Sequence, residues 1–314
     1  MAAFADLAAV SLVVVTGKGG VGKSVVTAAL GRALHRAGRR VLLLETDPRE
    51  NLHELAGAAP SGGELVPLAP GVFLQNLSPQ HIIGEIVREH LHVEYLVKKV
   101  SASPVFRHFV DAAPGLKELA VLGHALRLVR GYDRDRAGLI DTVVLDAPAS
   151  GHGLALLRAP AATASVIDAG PFARMARELE GLVRDPTSSA TVVVTAAEEM
   201  PVQEALELRD GLRASLGREP DLLVVNALYP PVTGGTGRAT DPLWQLWQPR
   251  RRINERELAR LDAEWLSPRL DLPLLPLARG PALVQALTGA FDAVAGVRRR
   301  ALAPERVAQA GERR

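Results

Sequence analysis

The chain is 314 residues long, which suits two small domains or one large α/β domain. Apolar residues make up 47% of it and charged residues 23%, which excludes a disordered, collagen-like or coiled-coil chain. The formal net charge of +2 is too small for a general nucleic-acid binder. The absence of cysteine excludes disulfides, thiolate metal sites and a cysteine nucleophile.

Two features of the sequence bear on location. No uninterrupted apolar stretch reaches the length of about 18 residues that a membrane-spanning helix needs. The N-terminal run at residues 2–15 contains Asp6 and lacks a basic flank, so we do not expect a signal peptide. The sequence therefore predicts a cytoplasmic protein.

Apolar runs alternate with helical patterns along the chain. A strand predicted over Ser11–Val15 leads into a glycine loop, a helix over Val25–Ala37 and a strand over Val41–Leu44. Such a βαβ unit indicates a parallel sheet. Four later apolar runs predict further strands: Thr142–Leu145, Thr191–Val194, Leu222–Val225 and Leu272–Leu277. The predicted fold class is α/β, with a doubly wound, mostly parallel sheet.

One long region interrupts this alternation. Residues 78–135 show helical patterns, such as Ile82–Lys99 and Leu116–Arg130, and no strong strand. They predict a helical subdomain inserted into the sheet domain. We therefore expect a single domain over residues 1–297 and a basic, disordered tail over residues 298–314.

The loop after the first strand carries the clearest motif. Gly17-Lys-Gly-Gly-Val-Gly-Lys23-Ser24 matches the phosphate-binding pattern G-x-x-x-x-G-K-[ST]. Its glycines allow backbone N–H groups to converge on phosphate oxygens, and the helix N-terminus adds the positive end of its dipole. Lys23 is expected to reach the β- and γ-phosphates and the Ser24 hydroxyl to bind Mg²⁺. The sequence thus predicts a P-loop nucleotide-binding protein.

Two other interpretations of this loop stay open. Gly17, Gly19 and Gly22 also form G-x-G-x-x-G. With Glu45 at the end of the next strand, this is the weaker signature of a nicotinamide or flavin oxidoreductase. That interpretation leaves both lysines and the serine of the loop without a role. A purely structural glycine loop is the second alternative. ATP is favoured over GTP because no lysine lies in an Asn-Lys-x-Asp motif.

With Lys18 included, the loop is K-G-G-V-G-K-S. It resembles the deviant Walker A loop of the ATPases that include MinD, ParA, the nitrogenase iron protein and ArsA. Other segments favour resemblance to the ArsA and tail-anchored-protein targeting ATPases, over about residues 11–285. These segments are Thr46-Asp47-Pro48 (similar to switch I), Pro114–Glu118 (a segment of the helical subdomain), Asp146–His152 (switch II), Val225–Pro230 (the adenine-reading segment), Leu272–Pro276 and Arg279-Gly280 (the last-strand loop).

The resemblance implies an ATP-hydrolysing dimeric switch and gives roles to particular residues. Lys18 would reach the γ-phosphate in the partner subunit, and Asp47 would orient the attacking water. Asp146 would hold Mg²⁺ or its water, and Asn226 would pair with the adenine edge. Three of these residues have a simpler alternative: Asp47 as a turn residue before proline, Asp146 and Asn226 as polar residues that end strands.

The candidate site residues form three groups. The catalytic candidates are Lys18, Lys23 and Asp47. The nucleotide-binding candidates are Gly17, Lys18, Gly19, Gly20, Val21, Gly22, Lys23, Ser24, Val25, Asn226 and Pro276. The Mg²⁺ candidates are Ser24, Asp47 and Asp146.

The implied partners are a second subunit, identical or paralogous, and a protein client or membrane partner at the helical region. We do not expect nucleic acid. Without cysteine we also expect neither thiol-based arsenite sensing nor the zinc clamp of the eukaryotic targeting ATPases. The stretch comparable to that clamp contains Trp244 and Trp247, followed by Arg250–Arg252. The two indoles either pack locally or anchor the dimer.

Two other functions remain as alternatives. The first is a ParA- or MinD-like positioning ATPase that acts on DNA or a membrane. The second is a partner-binding scaffold that holds nucleotide with negligible turnover.

Overall fold

A computed structural model describes residues 3–79, 82, 83, 85, 115–132, 135, 138–148, 152–231 and 242–301. The strands are β1 (Leu12–Gly17), β2 (Val41–Glu45), β3 (Val66–Ala69), β4 (Val72–Asn76), β5 (Thr142–Asp146), β6 (Ser189–Ala196), β7 (Leu222–Leu228) and β8 (Arg269–Pro273). The helices are α1 (Ala3–Ala9), α2 (Lys23–Arg36), α3 (Asn51–Ala56), α4 (Leu116–Val129), α5 (His152–Ala164), α6 (Pro171–Arg184), α7 (Glu199–Leu216), α8 (Pro242–Glu264) and α9 (Pro281–Ala301).

The described strands form one eight-stranded sheet in the order β3-β4-β2-β5-β1-β6-β7-β8. Neighbouring strands pair in parallel, except that β3 runs antiparallel to β4. The strands of the sheet centre are nearly continuous runs of Val and Leu because helices cover both faces. The predicted α/β class with a doubly wound, mostly parallel sheet is confirmed.

Alternation of side chains along β1 separates the two sides of the core. Val13 and Val15 pack with buried residues of α1, α2, α3 and α9. Leu12 and Val14 face the opposite side and pack with α4, α5, α6 and α7. A third cluster joins β6 and β7 to α7 and α8. Helix α2, which follows the glycine loop, is therefore held between the sheet and α9.

The edge strands differ from the sequence-based expectation. The hairpin of β3 and β4 was not predicted, since β3 contains Pro67 and has an alternating, half-exposed pattern typical of an edge. The predicted strand Leu272–Leu277 was wrong at both ends, because β8 spans Arg269–Pro273. Pro273 and Pro276 lack the N–H group that would continue the ladder.

The helical expectations have mixed outcomes. Helix α4 confirms the helix predicted over Leu116–Arg130 to within one residue. The predicted helix over Ile82–Lys99 falls almost entirely outside the described residues. The last helix, α9, continues through Ala301, and residues 302–314 of the predicted tail lie outside the described part. None of the helices described is both long and apolar enough to cross a membrane.

Candidate functional site

Two positions of the glycine loop leave no room for a side chain. Gly17 has a φ of +147°, and a Cβ atom on it would lie 2.0 Å from the carbonyl oxygen of Val194 in β6. Gly22 has a φ of +93°, and its Cβ atom would lie 2.2 Å from the side-chain amide nitrogen of Asn226 in β7. Only glycine combines such φ values with so close an approach. The loop therefore lies directly against β6 and β7.

Lys23 opens helix α2 and turns its ammonium back over the loop. Its Nζ donates to the Lys18 carbonyl oxygen at 3.0 Å, and the residue is buried. Burial lowers the pKa of Lys23, while the nearby carboxylates of Asp146 and Asp47 act in the opposite direction. A buried ammonium at a helix N-terminus favours the binding of an anion.

Asp146 ends β5 and faces the first turn of α2. The Ser24 hydroxyl donates to Asp146 Oδ2 at 2.6 Å, and the Thr27 hydroxyl donates to Oδ1 at 3.4 Å. Burial raises the pKa of Asp146 to about 6, with the Ser24 hydrogen bond and the Lys23 charge opposing the rise. A hydroxyl beside a carboxylate supplies the hard oxygen ligands that Mg²⁺ prefers. These residues therefore fit a magnesium ion.

Glu45 and Asn76 extend a polar row across the ends of three parallel strands. In the strand register, Glu45 lies beside Asp146 on one side and Asn76 on the other. Glu45 is fully buried, and its carboxylate accepts the backbone N–H of Leu52 at 3.1 Å. Burial raises the pKa of Glu45 to about 7. The row therefore places two carboxyl groups, both with raised pKa values, side by side.

The switch loop, residues 46–50, presents Asp47 to the same edge of the sheet. The exposed Asp47 carboxylate accepts the Arg49 backbone N–H at 2.9 Å and the Asn51 side-chain amide at 3.2 Å. The Asn76 amide donates to the Asp47 carbonyl oxygen at 2.6 Å. Hydrogen bonds to the side chain and to the backbone carbonyl thus fix the orientation of Asp47.

These elements surround a cleft of about 490 Å³, named the nucleotide cavity after its predicted ligand, which is a size typical of small-ligand sites. Its lining comprises Gly19, Gly20, Gly22, Lys23, Ser24, Val25, Asp47, Arg49, Asn51, Leu55, Asp146, Ala147, Pro148, Arg279 and Leu283. The structure therefore brings together the predicted residues of loop, switch I and strand β5. Of the predicted switch II segment, residues 149–151 lie outside the described residues.

Lys18 points away from this cavity. Its Nζ forms an ion pair with Glu204 Oε1 of α7 at 2.5 Å, and both side chains are partly exposed. The pair lines a second cavity of about 380 Å³, between the glycine loop, α5 and α7. Within the chain, Lys18 is thus engaged by a carboxylate outside the first cavity.

Four other predicted nucleotide residues also lie outside the lining of the nucleotide cavity: Gly17, Val21, Asn226 and Pro276. The Asn226 amide donates to the Val21 carbonyl oxygen at 2.9 Å, so it holds the loop against β7. Pro276 is exposed in the segment after β8. The adenine-reading role of Asn226 remains a prediction.

Sequence reasoning missed several contributors to the site. Asn76 follows the apolar residues of β4, so a search for polar residues at strand ends could have found it. Arg49 belongs to the segment that carries Asp47 but matches no motif. Glu204 is separated from Lys18 by 186 positions, and no local pattern connects the two.

The fold and the site define a P-loop nucleotide-binding protein. The defining features are a central parallel strand, a glycine loop and a helix N-terminus with a strand-end carboxylate beside it. Comparison with known families narrows this class. The profile of the ArsA ATPases, described as anion-transporting ATPases, matches residues 10–183. The chain belongs to this family.

The relatives found by sequence comparison are ATPases of modest similarity. ATPase BagA of Mycobacterium tuberculosis is 31% identical over 221 residues, which cover 64% of this chain and 60% of BagA. An arsenical pump-driving ATPase of Escherichia coli is 25% identical over 248 residues, 73% of this chain and 41% of that protein. An arsenical pump-driving ATPase from Acidiphilium multivorum is 26% identical over 249 residues, which cover 73% of this chain and 41% of that protein. The chain therefore spans about half the length of the relatives it matches.

The raised pKa of Glu45 predicts a pH dependence of stability in the metal-free protein. Between pH 4.5 and about 7, the unfolded chain has lost the Glu45 proton while the folded chain retains it. The free energy of unfolding should therefore fall as the pH rises through this range, by up to about 3 kcal/mol from this group. Asp146 adds a slope of the same sign. Urea unfolding of parent and Glu45→Gln protein in chelator, between pH 4.5 and 8, measures the Glu45 part as the difference.

Glu255→Gln, which changes an exposed carboxylate of α8, serves as the matched control and should keep the parental slope. An identical slope in Glu45→Gln and parent protein would show that Glu45 does not retain its proton on folding.

Proposed function

We propose that this chain is a Mg²⁺-dependent ATPase whose nucleotide phosphates lie in the nucleotide cavity. The observation that carries the proposal is the convergence of Lys23, Ser24, Asp47 and Asp146 on that one cleft. A glycine loop, a lysine, a hydroxyl and two carboxylates are the parts that phosphoryl transfer to water requires. Family membership supports the same reaction.

The residues divide the chemistry among them. Lys23 and the backbone N–H groups of the loop hold the β- and γ-phosphates. The lysine supplies a positive charge, and the N–H groups supply hydrogen-bond donors at a helix N-terminus. Ser24 and Asp146 would hold Mg²⁺, which when bound neutralises phosphate charge. Asp47 orients the attacking water, a task that needs position more than strong basicity. Its carboxylate is exposed on the cavity side of the switch loop.

The proposal includes an ATP-dependent dimer, with a second copy or a paralogue, in which Lys18 reaches the partner's nucleotide. The ion pair of Lys18 with Glu204 supports a defined starting state for that change. Both side chains are about 30% exposed, so the pair is held weakly enough to exchange partners. Closure of the dimer would replace Glu204 by a phosphate as the counter-ion of Lys18.

Coupling of this cycle to a client or membrane partner at the helical region is the further part of the proposal. The relatives from Escherichia coli and Acidiphilium multivorum named above are described as arsenical pump-driving ATPases. This chain contains no cysteine, and thiolate sulfur is the soft ligand that such sensing of arsenite uses. We therefore propose an ATPase switch that does not sense arsenite through thiolates.

Substitutions at Lys23 and Asp47 should separate binding from hydrolysis. Lys23→Ala should abolish ATP binding, because it removes the ammonium at the β- and γ-phosphates. Asp47→Asn should still bind ATP but release phosphate at least about a hundredfold more slowly, since a positioned catalytic group is lost. Equilibrium titration with ATP and steady-state phosphate release measure the two effects.

Asp210→Asn, an exposed carboxylate substitution on α7, is the matched control and should leave both quantities at parental values. Equal turnover in Asp47→Asn and parent protein would remove Asp47 from the mechanism. A parent chain that binds ATP without turnover would instead indicate a nucleotide-holding scaffold.

The tryptophans of α8 are the proposed replacement for a zinc clamp at the dimer interface. Trp247 already has local partners: its ring meets Tyr229 edge-on with centroids 4.9 Å apart, and its Nε1 donates to the Pro230 carbonyl at 3.2 Å. Both Trp244 and Trp247 remain partly exposed on one helix. Large aromatic side chains of this kind often anchor interfaces.

The Trp244→Ala/Trp247→Ala double variant should remain folded and dimerise more weakly, because two aromatic anchors are lost. Sedimentation with and without ATP measures dimerisation, and circular dichroism measures folding. Leu246→Ala, an exposed apolar substitution on the same helix, is the control. Parental dimerisation of the double variant would exclude the clamp, and an unfolded monomer would assign both residues to local packing.

A further inference from the structure

Among the described residues, Arg49 lines the nucleotide cavity and has no hydrogen-bond or ion-pair partner for its guanidinium. Among the described residues, three cationic side chains line the cavity: Lys23, Arg49 and Arg279. Lys23 donates within the glycine loop. The Arg279 guanidinium donates to Asn51 Oδ1 at 2.9 Å and lies 3.5 Å from a Glu54 carboxylate oxygen.

Arg49 is held by its backbone alone. Its N–H donates to Asp47 Oδ1 at 2.9 Å, which makes the conformation of Arg49 depend on the water-orienting residue. In the part of the chain that is described, no ion pair or side-chain hydrogen bond engages its guanidinium. The side chain is exposed to the cavity.

Glu50, the next residue of the switch loop, is outside the cavity lining and has its charge engaged elsewhere. Glu50 adopts a φ of +48°, in the left-handed region. Its carboxylate accepts the backbone N–H groups of Ser61 at 2.6 Å and Gly62 at 3.2 Å. Adjacent opposite charges are thereby separated, with Glu50 bound to another loop and Arg49 left in the cleft. The Glu50 carboxylate is therefore engaged by the backbone of Ser61 and Gly62.

We propose that Arg49 is a catalytic residue, which contacts the γ-phosphate of the nucleotide bound to its own chain. This assignment rests on the proposed ATPase function. Its positive charge would add to that of Lys18. In this structure Lys18 is paired with Glu204 outside the cavity. A guanidinium suits the role because its planar donors can bind two phosphate oxygens at once.

The step it assists is hydrolysis of the terminal phosphoanhydride. The water oxygen forms a bond to the γ-phosphorus, and the bond from that phosphorus to the β–γ bridging oxygen breaks. The bridging oxygen keeps the electron pair and becomes a terminal oxygen of ADP. The water proton passes to solvent or phosphate. Negative charge spreads over the γ-phosphoryl oxygens during this step, where Arg49 stabilises it.

The test compares Arg49→Gln and Arg49→Lys with the parent chain. At saturating Mg²⁺ and ATP, Arg49→Gln should release phosphate at least about a hundredfold more slowly, as expected for loss of an arginine at the transferred phosphoryl group. Its affinity for a fluorescent ATP analogue should stay within about threefold of the parent, because the contact strengthens in the transition state. Arg49→Lys should be intermediate, since it keeps the charge and loses the two-pronged contact.

Arg174→Gln provides the matched control, because this arginine is exposed on α6 and lies outside the cavity lining. It should match the parent in both measurements. Parental turnover of Arg49→Gln would overturn the assignment, as would loss of ATP affinity as large as its loss of turnover. Should Arg49→Gln fail to fold, Arg49→Lys decides: turnover at least about tenfold below the parent supports the role, and parental turnover overturns it.

Mixing variants tests whether Arg49 acts on its own chain's nucleotide. Lys23→Ala chains are expected not to bind ATP. In an equimolar mixture with Arg49→Gln chains, ATP therefore occupies only the Arg49→Gln sites, which lack their own arginine. The mixture should therefore be no faster than Arg49→Gln alone. Recovery toward the parental rate would overturn the assignment in favour of action across the dimer. If the parent chain releases no phosphate, the proposed ATPase function is overturned. If the parent and Arg49→Gln chains are equally active, only the Arg49 assignment is overturned.

Discussion

The buried carboxyl group of Asp146 is the charge around which the site is arranged. Desolvation raises its pKa to about 6, while the Ser24 hydroxyl and the Lys23 ammonium favour its ionised form. Glu45, in the adjacent strand, has its pKa raised to about 7 by burial, with Asp146 adding to the rise. Two neighbouring acids of this kind create a need for positive charge at the sheet edge. A metal ion bound with phosphate would meet that need.

The switch loop is fixed beside this charged edge because groups of the core and of a neighbouring loop hold it from several sides. Glu45 accepts the Leu52 N–H at the start of α3, and Asn76 donates to the Asp47 carbonyl. Glu50 binds the loop at Ser61 and Gly62. The anchors are in the core or in a neighbouring loop, so the side chains that face the cavity stay available to a ligand. The fold thereby defines the position of the loop, and the side chains of Asp47 and Arg49 line the cavity.

Local sequence patterns predicted much of the fold, whereas contacts between residues distant in the sequence were not predicted. The glycine loop, Asp47 and Asp146 were predicted as site residues because each lies in a motif or directly after a strong apolar strand, and the structure places all three at one cavity. The α/β class followed from the same strands and is confirmed. The antiparallel edge was missed because β3 contains a proline and is only half buried. The ion pair of Lys18 with Glu204 depends on how α7 packs beside the loop, which no local pattern records.

Calorimetric titration of the parent chain with ATP, in Mg²⁺ and then in chelator, tests the central claim most directly. If Lys23, Ser24 and Asp146 form one metal–nucleotide site, each chain should bind one ATP. Binding should be at least about tenfold tighter with Mg²⁺, because the ion neutralises both the phosphates and the Asp146 carboxylate. Absence of binding, or equal affinity with and without Mg²⁺, would contradict the account.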